Sequence, residues 1–262
     1  MTGSAEKIQC RLCGGEAKFV FKRRAIDRYD ISYYRCSQCN SLQTEAPYWL
    51  GEAYSDAVTS IDPGAAQRVF DNFVLTQSVA YIFKCARLLD YGGGAGLLCR
   101  LLRDAGWDAY SFDRHAPAGY ASGFTASPSE QFDLITAFEV LEHLPDPAAE
   151  LMESFGANAK VVLISTYLYS GEGSDWWYLC PEEGQHVFMY SERAIQLIAS
   201  RFGYRSHICN GFIIFVRNPL SAIQRILLFR LLTPRIIRRV RPFALARSAA
   251  GAQRDFEFLT KR

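Results

Sequence analysis

Short apolar runs and longer helical patterns alternate between residues 86 and 218. Residues 86–91 form an apolar run too short for a helix and read as a strand. From about Ala95 to Ala105 apolar residues recur at helical spacing, and Gly106 ends the pattern. Residues 108–113, 132–138 and 160–166 read as further strands. Asp146-Pro147 predicts a helix start, since Asp accepts from free N–H groups and Pro tolerates the first turn. Ser191 caps a later helix that Gly203 ends. Residues 204–209 and 212–217 read as a closing pair of strands joined by Asn210-Gly211, a strong hairpin signal. Upstream, residues 19–21 and 31–34 read as short strands and residues 65–84 as a helix. Residues 116–131 leave little room for a strand-and-helix unit, so a shortened sheet edge is expected there.

Alternating strands and helices that finish in an antiparallel hairpin describe an open α/β sheet. Four segments and no internal repeat follow: 1–45, 46–85, 86–218 and 219–262. With 262 residues, 49% apolar and 21% charged, the chain is ordinary globular material. Residues 1–9 are polar and hold no signal-peptide core, and no uncharged apolar run approaches the ~20 residues that span a bilayer. Eight cysteines are too sparse for a secreted disulfide scaffold, so a reducing cytoplasm is expected. The net charge of +2 is uneven: residues 219–250 carry seven arginines (225, 230, 235, 238, 239, 241 and 247) and no acid. Removing those seven leaves the rest at −5, which argues against a broad nucleic-acid surface on the main body.

The most informative stretch is Leu88-Leu89-Asp90-Tyr91-Gly92-Gly93-Gly94-Ala95-Gly96, where a strand meets a helix through glycines at alternate positions. Leu97 occupies the place where a dinucleotide fingerprint starting at Gly92 needs a small residue. The pattern Asp-x-Gly-x-Gly-x-Gly instead resembles motif I of class I S-adenosylmethionine-dependent methyltransferases. That resemblance implies a Rossmann-like methyltransferase sheet, to which the cysteine pairs add an N-terminal four-cysteine zinc ribbon and the arginine-rich end a C-terminal basic helical tail. It also implies S-adenosylmethionine as the methyl donor. Gly92, Gly94 and Gly96 would let the backbone approach the methionine half. Asp90 would favour the ammonium and sulfonium charges, and Asp113, closing the second strand, would accept the ribose hydroxyls. Phe138 and Glu139 would lie beside the cofactor.

Phe138-Glu139-Val140-Leu141-Glu142-His143-Leu144-Pro145-Asp146-Pro147 resembles the post-strand motif of the same superfamily. Glu139, Glu142 and His143 would face one way if a helical turn started at Glu139. His186 follows later. Ubiquinone-pathway and small-RNA 2′-O-methyltransferases show a similar Glu-x-x-Glu-His with a later His, which implies that Glu139, Glu142, His143 and His186 hold Mg²⁺ or Mn²⁺. Sugar methyltransferases with an N-terminal zinc domain imply instead a histidine general base, His143 or His186. Both readings stay open at this point, and packing beneath the sheet is the non-catalytic alternative.

Cys10-x₂-Cys13 and Cys36-x₂-Cys39 form a zinc signal of the structural, closed kind. Resemblance to the sugar methyltransferases implies that this small domain helps wall an acceptor site. Tyr48, Trp49, Trp176 and Trp177 are the candidate acceptor-facing rings, with core packing as the alternative. The expected acceptor is a hydroxyl of a sugar or glycan precursor, with no strong nucleic-acid signal. C-methylation of a keto-sugar, an RNA or quinone-type acceptor, and a non-catalytic cofactor-binding module are the rivals. Residues 223–240 mix Ile, Leu and Phe with arginines, which suits either peripheral contact of 219–247 with the inner face of the membrane or a helix packed on the body with its arginines reaching water.

Overall fold

The computed structural model describes residues 7–54, 63–156, 159–246 and 250–261; residues 55–62 of the linker and Arg247 of the tail lie outside them. The chain opens with β1 (Lys7–Gln9), β2 (Glu16–Ala25), β3 (Tyr29–Cys36), β4 (Leu42–Thr44), α1 (Leu50–Ala53) and α2 (Ala65–Phe83). Next come β5 (Arg87–Tyr91), α3 (Leu97–Asp104), β6 (Asp108–Phe112), β7 (Leu134–Phe138), α4 (Pro147–Gly156), β8 (Val161–Ser165) and β9 (Phe188–Met189). Last are α5 (Glu192–Arg201), β10 (Arg205–Cys209), β11 (Phe212–Val216), α6 (Ala222–Ile226), α7 (Pro234–Ala246) and α8 (Ala250–Leu259). These elements group into two compact units that interleave along the chain. One takes residues 1–60, 139–152 and 166–203, the other residues 61–138, 153–165 and 204–262.

The second unit is built on a six-stranded sheet of order β10-β11-β8-β7-β5-β6. Strands β6, β5, β7 and β8 are parallel, and β11 and β10 close the sheet antiparallel. Strand β11 is buried throughout and β8 nearly so, as continuous apolar runs covered on both faces should be. The two-residue Asn210-Gly211 loop joins β10 to β11, with Gly211 at φ +92°. Helix α3 stops where Gly106 turns to φ +93°. The shortened edge is realised as a single parallel bridge from Ser111 to Thr125 and a 3₁₀ turn at Gly119–Ala121. This is the open α/β sheet, finished by an antiparallel hairpin, that the sequence pattern predicts. Tail residues Leu228, Leu232 and Ile237 are buried in the core with α2 and α3. Asp255 on α8 is buried between Arg100 and Arg103 of α3, 2.7 Å from each.

The first unit holds an antiparallel sheet of order β1-β2-β3-β4-β9. Strands β2 and β3 run well beyond the short segments 19–21 and 31–34. Charged residues such as Lys22 and Arg24 dilute the apolar signal of β2, most of which is solvent-facing. Ile26 and Asp27 close the hairpin in left-handed conformation. Strand β9 pairs with β4 through Leu42–Met189 and Gln43–Phe188, bringing the residues after His186 into the sheet.

Candidate active site

At the end of β5 the Asp90 carboxylate is buried, and its Oδ1 accepts a hydrogen bond from the Thr136 hydroxyl at 2.9 Å. Burial, with the Asp113 charge adding to it, pushes Asp90 up to about 7. Gly92 and Gly93 donate their N–H groups to the Phe112 carbonyl at 2.7 and 3.1 Å, which draws the turn over the end of β6. Gly92, Gly94 and Gly96 all have positive φ, where an L side chain is strained. A Cβ at Gly96 would lie 2.9 Å from Ala121 Cβ, whereas one at Gly94 would meet open space. Gly93 is the glycine the alternate-position motif passed over: a Cβ there would lie 2.5 Å from Ser111 Oγ and 2.6 Å from Asp90 Oδ2. Any other residue at 93 would displace the carboxylate.

Asp113 follows β6. Its Oδ2 accepts from the Gly94 N–H at 2.9 Å, and its Oδ1 accepts from His115 and Ala116 at 2.8 Å each. The carboxylate therefore ties the glycine turn to the segment after β6, and a carboxylate oxygen keeps a second lone pair for a further donor. Phe138 ends β7 and is half-buried.

The acid and histidine cluster belongs to the first unit. Glu139 has φ +52°, so no helical turn starts there; the turn is 3₁₀ and spans Leu141–His143. The expected common helical face is corrected accordingly, because the left-handed residue redirects the chain before Glu142. Glu142, His143 and His186 nevertheless present ligand atoms within 4.8 Å of one another, a set that does not include Glu139. Two segments are locked together to achieve this. The Val187 N–H donates to the Glu142 carbonyl at 2.9 Å, and His186 Nδ1 stands 2.6 Å from the Tyr178 carbonyl. A carbonyl only accepts, so Nδ1 carries the proton and Nε2 keeps its lone pair. Burial holds the His186 imidazole below its ordinary value and thus neutral. Burial, with Glu139 nearby, pushes Glu142 well above the usual carboxylate range. Glu142 Oε1 accepts from the Tyr178 hydroxyl at 2.7 Å, while Glu142 Oε2 is buried without a hydrogen-bond partner. Tyr178 also reaches Glu139 Oε2 at 3.3 Å, and Tyr54 stands 3.2 Å from His143 Nδ1.

Two residues outside the expected acid and histidine set hold this cluster. Tyr178 is one. Arg11, half-buried in the first cysteine knuckle, is the other. Its guanidinium donates to the Val187 carbonyl at 2.6 Å and the Pro145 carbonyl at 2.8 Å, next to His186 and two residues beyond His143. Burial lowers Arg11 to about 10. A lone arginine between two cysteines carries no signal of such a role, whereas Tyr178, the one hydroxyl in an aromatic triplet, carries a faint one.

Among the candidate acceptor rings, Trp49 is a correction. It is fully buried in the first unit's core, and its Nε1 donates to the Gly184 carbonyl at 2.8 Å, so it packs rather than displays a ring. Trp176 is half-buried beside the same core. Tyr48 and Trp177 are exposed, and Trp177 meets the exposed Tyr167 edge-on at 4.9 Å.

The four sulfurs of Cys10, Cys13, Cys36 and Cys39 lie within 4.8 Å of one another, with Cys10–Cys39 at 3.7 Å and Cys13–Cys36 at 3.5 Å. Tetrahedral Zn–S bonds of about 2.3 Å require sulfurs about 3.8 Å apart. The N–H groups of Gln38 and Cys39 point at Cys36 Sγ from 3.4 Å, as donors to a thiolate do. The donor set fits zinc.

The mostly parallel sheet and the glycine corner that leaves open space at Gly94 fit the S-adenosylmethionine-dependent methyltransferases that the motif at residues 88–96 resembles. Residues 64–207 match the family described as "Methyltransferase domain", and the chain belongs to that family. No curated protein matches the chain. Among solved structures it is similar to magnesium protoporphyrin IX methyltransferase from Synechocystis PCC 6803 with bound SAH (14% identity, 64% of this chain and 93% of that one, TM-score 0.45). The methyltransferase domain of bacterial CtHen1-C is similar too (17%, 57% and 98%, TM-score 0.43), as is Streptomyces venezuelae DesVI (10%, 57% and 92%, TM-score 0.44).

Proposed function

We propose that this enzyme transfers a methyl group from S-adenosylmethionine to a hydroxyl oxygen of a sugar or glycan precursor. The observation that carries the reading is the Glu142–His143–His186 cluster, in which the His186 tautomer is set by the Tyr178 carbonyl. A hydroxyl is a poor nucleophile until its proton has somewhere to go. His186 Nε2 takes that proton as the acceptor oxygen bonds to the methyl carbon, a role typically worth about 10²–10⁴-fold. The donor supplies an electrophilic methyl group and keeps the electron pair of the broken C–S bond as a neutral thioether. Glu142, beside the ring, stabilises the imidazolium when ionised. Exposed Tyr48, Tyr167 and Trp177 supply flat rings of the kind that cover the apolar face of a sugar.

A second reading is favoured by Glu142 Oε2, a buried carboxylate oxygen left without a partner. Glu142, His143 and His186 would together hold a divalent cation, with the Tyr178 carbonyl orienting His186 from behind. Such a cation lowers the pKa of a bound hydroxyl. We assign Zn²⁺ to Cys10, Cys13, Cys36 and Cys39 as a structural ion. Its part is to hold the knuckle that presents Arg11.

The test is methyl transfer from labelled donor to a panel of sugar nucleotides and glycan precursors, with and without Mg²⁺ or Mn²⁺ after exhaustive chelation. Label in an O-methyl ether, lost in His186→Ala, supports the reading. Label retained by His186→Ala or found on carbon contradicts it. Restoration by Mn²⁺ alone selects the second reading.

A further inference from the structure

We propose that the segment 222–243 is a docking surface for an anionic lipid bilayer. Helix α6 continues through a π-turn, Leu227–Leu231, and α7 follows after Thr233. At about 100° per residue, Ile223, Ile226 and Arg230 fall on one side, opposite the fully buried Leu228. On α7, Arg235, Arg239 and Phe243 are four residues apart and share a side opposite the buried Ile237. The buried residues fasten the segment to the core and leave the other side to solvent. That side carries large apolar groups that a water-facing helix would not choose: Ile223 is 70% exposed and Phe243 is 74% exposed.

Charge decides the occupant. Residues 219–250 contain no acid. Arg238 and Arg241 are paired with Asp71, but among the described residues Arg230, Arg235 and Arg239, on the exposed side, have no acidic partner. A second copy related by a two-fold axis would set these arginines against their own equivalents. A nucleic acid would satisfy the arginines through its phosphates but leave Ile223, Ile226 and Phe243 in water. A bilayer surface takes both, with the apolar side chains entering the headgroup boundary and the guanidinium groups on lipid phosphates. No helix among the described residues is long and apolar enough to cross a membrane, so the contact is peripheral.

The experiment is flotation of the full chain with vesicles of phosphatidylcholine alone and of phosphatidylcholine mixed with phosphatidylglycerol. Deleting the tail is unsuitable, since Leu228, Leu232 and Ile237 belong to the core. The wild type floats with the anionic vesicles and stays behind with the neutral ones, and added salt reduces the bound fraction. Each arginine neutralised lowers partitioning about fivefold, corresponding to about 1 kcal/mol per basic residue. Arg235→Gln/Arg239→Gln therefore binds on the order of 25-fold less, and Ile223→Ser/Ile226→Ser also fails to float. Circular-dichroism melts matching the wild type separate lost binding from lost fold. Wild-type recovery in the soluble fraction with anionic vesicles overturns the proposal. So does flotation of both folded variants at the wild-type level, or an arginine-pair defect seen only in retention of single-stranded RNA.

Discussion

The Tyr178 hydroxyl lies 2.7 Å from Glu142 Oε1 while the Tyr178 carbonyl lies 2.6 Å from His186 Nδ1, so one residue holds both an acid and a histidine of the cluster. The carbonyl contact survives any substitution at 178, but the hydroxyl contact does not. Tyr178→Phe therefore leaves His186 in its tautomer and frees Glu142 Oε1. Loss of such an orienting contact typically costs about 10–100-fold in activity. The expected outcome is a fall in kcat of that size with Kd for S-adenosylhomocysteine unchanged within twofold. Calorimetry alongside steady-state kinetics checks both numbers.

Arg11 links the cysteine knuckle to the cluster through the Val187 and Pro145 carbonyls. Arg11→Ala leaves the buried Val187 carbonyl short of a charged donor, a loss of about 1–3 kcal/mol. Urea denaturation measures it. Because the four sulfurs are untouched, zinc content stays at the wild-type value while kcat falls. Arg11→Lys, a point charge without the fork, restores stability better than activity.

The fold was largely legible in the chain because its signals are local. The run of apolar residues 132–138, the Ser191 cap and the Asn210-Gly211 loop each announce an element without reference to anything distant. Ser191 Oγ indeed accepts from the Ala194 N–H at 3.0 Å. The site was legible only as a set of residue types. Glu142 and His186 meet through the Val187–Glu142 hydrogen bond, a contact between residues 45 positions apart that no periodicity encodes. Trp49 stood open between acceptor ring and core packing because an indole reads the same in a core as on a surface, and the structure buries it. Arg11 was invisible because its guanidinium partners, all but the Thr44 hydroxyl, are backbone carbonyls, which every sequence possesses.

Removal of the metal from the four-cysteine site gives a separate test. Binding energy of about 10–16 kcal/mol is available from such a site, enough to fold a segment of this size. Cys36→Ser, or strong chelation under reducing conditions, is expected to release one zinc per chain and unfold residues 8–45. Colorimetric zinc assay and proteolysis within β2 and β3 monitor the two events. Activity falls with them, since Arg11 is then released.

Asp90 gives a pH dependence of definite sign. Its folded value of about 7 stands above the ordinary 3.8, so the folded ligand-free protein binds a proton that the unfolded chain releases. The contribution of Asp90 to stability is fully present below pH 3.8 and is lost as pH rises to about 7. Asp90→Asn removes that loss. Relative to wild type it gains stability, up to a few kcal/mol, between pH 4 and pH 8, given about 1.4 kcal/mol per unit. Denaturation curves across this range check it. A cationic ligand favours the ionised carboxylate, so S-adenosylmethionine affinity rises up to tenfold per pH unit below about 7 and levels above. Titrations in buffers of different ionisation heat should show a proton released on binding.

The most direct measurement is calorimetric titration of S-adenosylhomocysteine into wild type, Gly94→Val and His186→Ala. Binding by the wild type, loss of at least tenfold in Gly94→Val, and unchanged affinity in His186→Ala are predicted: the glycine corner takes the nucleotide, and the histidine serves only the acceptor. Absence of heat with the wild type, or equal affinity in Gly94→Val, contradicts the account.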